Sequence, residues 1–416
     1  MKHSPSQVLV LGLAMLLASV CTQGSAFAQA APPTERATIH PIDPAEVSAL
    51  RPLLPRGAVI VLRALEPGLD PCCTVYVRAH APLDVVRHAI VTPEEYPTFM
   101  PALTGVDILS RRGHRVAFRF RVHAVFFAVA ADASLQVIND HRVDFSIAQS
   151  DVGPSQSRWE LFSDGPEYTI IAYTVWSDPS RGSWAVRQLV GGDGSGASSA
   201  SASIPVATAL TLGVRRRAED ATGHAQRVRP VHFAVAPSAL TPPEPGPWLD
   251  LLTHTNIAVL TLGPDGSLEQ ITVAGAAAGR APEDFVRRLM TPEHYGRGLP
   301  WMRDATVVSR STDSVQFRLH LGAPLAGSQG EIRGHVDPGG RAMHFVGGSG
   351  DFAGDLHRWD FVPYSLGTYL LYTAGADERH APWPQRSFLD LDAWGAAGVL
   401  AYWDIITIRL TFVGPD

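Results

Sequence analysis

Lysine is almost missing from this chain of 416 residues: Lys2 is the only one, and arginine supplies the remaining permanent positive charge. That excludes chemistry requiring an internal amine, such as a Schiff base or the lysine of a phosphate-binding loop. Cysteine is scarce as well, 3 in all, of which Cys21 lies in an N-terminal apolar run. The other two, Cys72 and Cys73, are adjacent. Neighbouring strand residues point to opposite faces, so a bond between them would strain the backbone. A redox role stays open; a plain pair at the start of a strand is the simpler reading. No Cys/His spacing resembles a metal site, and no Gly-x-Ser-x-Gly elbow is present. His254, His320, His344 and His357 are scattered, without an aspartate or nucleophile at useful spacing. The formal charge of −6 leaves no clustered basic excess of the kind nucleic-acid binding needs. No catalytic residue, cofactor, metal or nucleic-acid partner is therefore expected.

Long apolar runs are absent beyond the N-terminus. Met1-Lys2-His3 is a short basic start, Val8 to Val20 an apolar stretch, and Ala26-Phe27-Ala28 and Ala28-Gln29-Ala30 are overlapping small-x-small sites. This is the pattern of a cleavable signal peptide, too short to span a bilayer. A lipid anchor on Cys21 would want a small residue before it and meets Val20 instead. Trp394 to Phe412 is interrupted by Asp404 and Arg409, each expensive at a bilayer centre. A periplasmic or secreted protein is expected, with residues 1–30 as signal peptide and a Pro/Ala-rich leader at 31–50.

What is present is a repetition. Ala81-Pro82, Asp84, Val86-Arg87, Thr92-Pro93-Glu94 and Tyr96 return as Ala281-Pro282, Asp284, Val286-Arg287, Thr291-Pro292-Glu293 and Tyr295. Phe118-Arg119 answers Phe317-Arg318, Arg158-Trp159-Glu160 answers Arg358-Trp359-Asp360, and Thr169 and Tyr173 answer Thr368 and Tyr372. So sustained a match means duplication of a whole folding unit rather than a short solenoid period. Two domains, 51–220 and 248–416, are expected, joined by a linker over 221–247 with Pro242, Pro243, Pro245 and Pro247 as breakers.

Within a copy, apolar stretches at Ala58–Leu65 and Cys73–Val77 predict strands. Pro82 opens a short helix over Leu83–Val91, and a second lies near Glu94–Phe99. Alternation follows: Val116, Phe118, Phe120 and Val122 share one face, against Ala117, Arg119, Arg121 and His123. Val315, Phe317, Leu319 and Leu321 repeat it, and Val143, Phe145 and Ile147, then Ser157, Trp159 and Leu161, alternate again. An antiparallel sheet with one apolar and one solvated face is implied. Helices over Pro205–Glu219 and Leu391–Leu410 end the copies. The Gly/Ser/Ala tract Gly191–Ser203 predicts a mobile loop before the first of them, whereas Ala381-Pro382-Trp383-Pro384 is stiffened by proline. That contrast predicts faster ligand exchange in the first copy.

This order of elements, together with the Ala-Pro-x-Asp-x-Val opening and the Thr-Pro-Glu-x-Tyr helix pair, resembles the START-like, helix-grip superfamily. Polyketide cyclases, coenzyme-Q-binding proteins and lipid carriers belong to it. The Arg-Trp-[Glu/Asp] strand and the bend from Asp178-Pro179 to Trp184 resemble it too. The resemblance implies an α+β fold: two tandem helix-grip domains, each a curved antiparallel sheet wrapped around a long C-terminal helix. It implies an apolar cavity between sheet and helix for a hydrophobic small molecule or lipid. Candidates to line it are Val116, Phe118, Phe120, Phe145, Trp159 and Tyr173, then Phe317, Leu319, Phe345, Trp359 and Tyr372; filling by these side chains alone is the plainer alternative. Arg187 and Arg386, each three residues after a tryptophan, are candidate clamps for a ligand carboxylate or phosphate, with a surface salt bridge as the simpler reading. Arg215-Arg216-Arg217 leaves a transient membrane contact open. An exported carrier is the function so implied; a polyketide-cyclase-like enzyme and a non-binding interaction module are the alternatives.

Overall fold

The computed structural model describes residues 39–63, 72–100, 103–124, 127–150, 153–178, 181, 196–224, 239–263, 266–297, 302–322 and 327–375. These fall into two compact units, one ending at residue 224 and the other starting at 239. The second terminal helix expected over Leu391–Leu410, together with Arg187, Arg386 and the 381–384 segment, lies outside the described residues.

The first unit opens with α1 (Pro44–Leu50), a 3-10 segment (Arg51–Arg56), β1 (Gly57–Arg63) and β2 (Cys72–Ala79). Then come α2 (Leu83–Val91) and α3 (Tyr96–Phe99), joined by a 3-10 turn. Six strands follow: β3 (Leu103–Arg112), β4 (Arg115–Ala124), β5 (Phe127–Asn139), β6 (Arg142–Ser150), β7 (Ser155–Ser163) and β8 (Thr169–Ser177). The unit's described part ends in α4 (Gly196–Ala221). Its strands order as β1-β2-β8-β7-β6-β5-β4-β3, every neighbouring pair antiparallel. The last six strands form a meander, and β8 closes back onto β2.

The second unit repeats this with a 3-10 segment (Pro247–Thr253), β9 (Thr255–Leu262), β10 (Leu268–Ala278), α5 (Pro282–Leu289) and a 3-10 turn (Pro292–Arg297). Its meander is β11 (Met302–Arg310), β12 (Ser314–Leu321), β13 (Ser328–Val336), β14 (Ala342–Gly350), β15 (Leu356–Tyr364) and β16 (Gly367–Gly375). The order β9-β10-β16-β15-β14-β13-β12-β11 matches that of the first unit, again antiparallel throughout.

The duplication extends to individual hydrogen bonds. Thr74 and Thr174 pair their hydroxyls at 3.0 Å, as Thr272 and Thr373 do. The Thr169 hydroxyl donates to the Ala81 carbonyl at 2.9 Å, and that of Thr368 to Arg280 at 2.8 Å. The Tyr96 and Tyr295 hydroxyls each donate to a carbonyl at the end of the preceding helix, Ile90 and Leu289. Glu94 pairs with Arg111, and Glu293 pairs with Arg310 in the same way. Both units thus carry the same order of strands and short helices, as the repeat predicts.

Three segments differ from expectation. Inside the expected leader, Asp43 caps α1 by accepting from the Ala45 N–H at 2.8 Å, and Pro44 suits the first turn. Val47 and Leu50 are then buried, while Glu46 accepts from Arg63 at 2.5 Å and from the Tyr76 hydroxyl. The segment is held by the sheet, which composition alone does not reveal. In the expected linker, Thr241 exchanges two backbone hydrogen bonds with the Gln270 side chain, at 3.0 and 2.6 Å.

The third difference is a correction: helix α4 starts at Gly196, so the expected mobile loop does not hold from there to Ser203. Pro205 lies inside the helix rather than opening it. Packing supplies the reason. Ser203 is buried and its hydroxyl meets that of Ser177 at 2.8 Å, and Ile204 is fully buried. Tertiary contact of this kind overrides a weak Gly/Ser propensity. The helix lies against β2 and β8, and Arg217 ties it to Glu95 at 2.7 Å.

Candidate functional site

Strand register brings the sequence candidates together on one face of each sheet, the inner face. In the first unit Val143 lies opposite Trp159, Trp159 opposite Tyr173, and Tyr173 opposite Val75. Leu135 faces Phe145, and Ala133 faces Phe118. Val116, Phe118, Trp159 and Tyr173 are buried, and Phe120 and Phe145 are half-buried. Strands β4 and β6 are separated by β5, yet the Phe118 and Phe145 rings meet with centroids 5.8 Å apart. The small Ala133 side chain between them allows that. Phe118 also contacts Tyr96 edge-on at 6.1 Å and Phe120 at 6.4 Å, and Trp159 lies 4.1 Å from Tyr173. Ser177, on this same face, is the residue that meets α4, so the helix covers the β2–β8 end of the inner face.

The second unit reproduces the cluster. Phe317 contacts Tyr295 at 5.8 Å and Phe345 at 6.2 Å, and Trp359 lies 4.6 Å from Tyr372. Val315, Phe317, Leu319, Phe345 and Trp359 are buried and Tyr372 half-buried. Here glycine makes the room: a Cβ on Gly334 would sit 2.6 Å from the Phe345 ring. The inner face is therefore aromatic in both copies by the same geometry.

Two polar groups interrupt that face, at equivalent places. In the first unit Ser157 lies between Phe145 and Val175, 4% exposed, with its side chain toward Tyr173. In the second unit the position is His357, between Phe345 and Ala374. Its Nδ1 lies 2.7 Å from the Tyr372 hydroxyl, and the two rings are nearly parallel. Burial lowers the His357 pKa to about 4, so the imidazole is neutral near pH 7. Although protein surrounds the imidazole, the residue as a whole is only half-buried. Burial likewise pushes Tyr173 up to about 12, and Tyr96 and Tyr295 higher still. Sequence spacing missed His357 because its partner sits on the neighbouring strand. The signal lay in the repeat: Ser157, Trp159 and Leu161 share a face, which places His357 beside Trp359.

The opposite face is polar. Arg119 pairs with Asp132 at 2.7 Å and Arg318 with Glu331 at 3.0 Å. A cleft of about 250 Å³ opens on this face in the first unit, lined by Ile39, Arg115, Gln136, Asp144, Gln156 and Arg158 among others. Burial alone would raise the Asp144 pKa, but hydrogen bonds from Arg142 and Arg158 outweigh it and hold the carboxyl below its ordinary value. Arg158 also donates to the Ile39 carbonyl at 2.7 Å, and the Ile42 N–H donates to Glu160 at 3.2 Å. These bonds fasten the N-terminal segment and account for the cleft's polar lining.

Cys72 and Cys73 are free and buried, and burial raises both thiols, Cys72 to about 11. Buried thiols without thiolate character are poor nucleophiles. Among the described residues no group of three or more His, Cys, Asp or Glu side chains could hold a metal ion, and no helix is long and apolar enough to cross a membrane.

No family model and no curated relative matches this chain. Among solved structures, it is similar to the di-domain ARO/CYC StfQ from the steffimycin biosynthetic pathway at 13% identity and a TM-score of 0.28, covering 81% of this chain and 96% of that one. The di-domain ARO/CYC BexL from the BE-7585A biosynthetic pathway is similar at 11% identity and a TM-score of 0.29, over 83% and 99%. A STAR-related lipid transfer protein from Xanthomonas axonopodis is similar at 13% and 0.28, over 36% of this chain and 92% of that one. Likenesses at this level carry no function across. The duplication itself rests on the order of elements and on the hydrogen bonds repeated in both units.

Proposed function

We propose that this chain is an exported carrier whose two units each hold a hydrophobic small molecule or lipid against the inner face of the sheet. The observation that supports it is the duplicated aromatic face: Phe118, Phe145, Trp159 and Tyr173 in one unit, Phe317, Phe345, Trp359 and Tyr372 in the other. Such a carrier needs no reactive group, only apolar area removed from water at about 25 cal/mol per Å². The basic, apolar and small-residue pattern of residues 1–30 supports export. A second reading, an enzyme resembling polyketide cyclases, is favoured by one feature: the His357–Tyr372 pair on an otherwise apolar face.

Native mass spectrometry of the purified mature chain tests the carrier. A non-protein mass that is lost on organic extraction and restored by added oleic acid is the expected result. A bare chain that takes up no oleic acid would count against it.

A further inference from the structure

Resting on that reading, we propose that His357 and Tyr372 form a hydrogen-bonding dock inside the second unit for an apolar ligand that carries a carbonyl or hydroxyl oxygen. The pair is cross-strand: His357 on β15 and Tyr372 on β16, with Trp359 packed on the tyrosine ring at 4.6 Å and Phe345 directly opposite the histidine. Its surroundings on the inner face are otherwise Phe345, Trp359 and Ala374.

Whichever way the shared proton lies, Nε2 of His357 is left to meet a ligand. If the Tyr372 hydroxyl donates to Nδ1, the neutral imidazole carries its proton on Nε2 and offers that N–H. If Nδ1–H donates to the tyrosine oxygen, Nε2 becomes an acceptor. No bond to Nε2 is present among the described residues, and the residue as a whole is only half-buried although protein encloses the imidazole. A buried polar group in such a setting is costly unless a partner meets it. The first unit supports the same placement independently. At the position equivalent to His357 it carries Ser157, 4% exposed and turned toward Tyr173, the counterpart of Tyr372. Both inner faces therefore have a polar point at one place, and the two differ in what they offer. The second unit presents a histidine beside its tyrosine, the first a serine beside its own. Ligand choice differs between the copies for that reason.

The test compares 1-naphthol with naphthalene, which differ by one hydroxyl, by calorimetric titration of the full chain. His357→Ser and Tyr372→Phe are the variants. Serine is what the first unit holds at this place, so the fold tolerates it; cooperative melting checks both variants. Each variant is expected to lose about tenfold in 1-naphthol affinity at one site while its naphthalene isotherm stays unchanged, the effect of one hydrogen bond in an apolar setting. Unchanged 1-naphthol binding in both variants, with naphthalene still bound, would overturn the dock and leave the carrier standing. If the wild type binds neither compound, the carrier reading falls and the dock falls with it.

Discussion

Phe118→Ala and Phe317→Ala are each expected to destabilise their own unit by about 3–5 kcal/mol, the usual cost of emptying a buried phenylalanine site. Phe118 is 1% exposed and Phe317 2% exposed. Each ring also holds an edge-on contact to the tyrosine that closes the preceding helix, Tyr96 or Tyr295. Ring pairs of this kind add about 0.5–1.5 kcal/mol beyond burial. Leu109→Ala, at a side chain 51% exposed, should stay within about 0.5 kcal/mol of wild type. Urea unfolding of the full chain checks this. A loss below about 1 kcal/mol at either phenylalanine would mean that the rings are not packed as described.

Acid should weaken the second unit through His357. Its folded pKa of about 4 lies below the ordinary 6.5, so the unfolded chain takes up a proton that the folded chain refuses. The stability contributed by the neutral ring is full above about pH 6.5, falls as the pH drops, and is gone below about 4. At 1.36 kcal/mol per unit this amounts to roughly 3 kcal/mol, an upper figure because His357 is only half-buried. His357→Ser removes the effect, and carboxylates titrating in the same range cancel when the two proteins are compared. Unfolding free energies measured at pH 7, 5.5 and 4 should therefore show wild type losing ground to the variant step by step. Parallel curves would refute the buried neutral histidine.

The sheets were legible in the sequence because their faces differ so sharply. Phe118 between Ala117 and Arg119, or Phe317 between Gln316 and Arg318, leaves little doubt which side is inward. The Leu83–Val91 helix was legible because proline precedes it at a position where a missing N–H costs nothing. What sequence could not supply came from contacts between distant segments. Asp43 and Pro44 do mark a helix start, but the burial of Val47 and Leu50 depends on a sheet not yet assembled. Gly196 to Ser203 is helical because Ser203 and Ile204 are buried in the unit. The His357–Tyr372 pair is diagonal across a hairpin, since Trp359, not His357, stands directly opposite Tyr372. Histidines judged by spacing along the chain therefore looked scattered, and only strand register makes this pair a unit.

The most direct measurement is a fluorescence titration of the full chain with cis-parinaric acid, counting sites at saturation. Two saturable sites per chain are expected, falling to one when the ring cluster of a single unit is opened by Phe118→Ala or Phe317→Ala in protein that still melts cooperatively. Absence of saturable binding in the wild type, or two undiminished sites in both variants, would contradict a ligand held on the aromatic inner face of each unit.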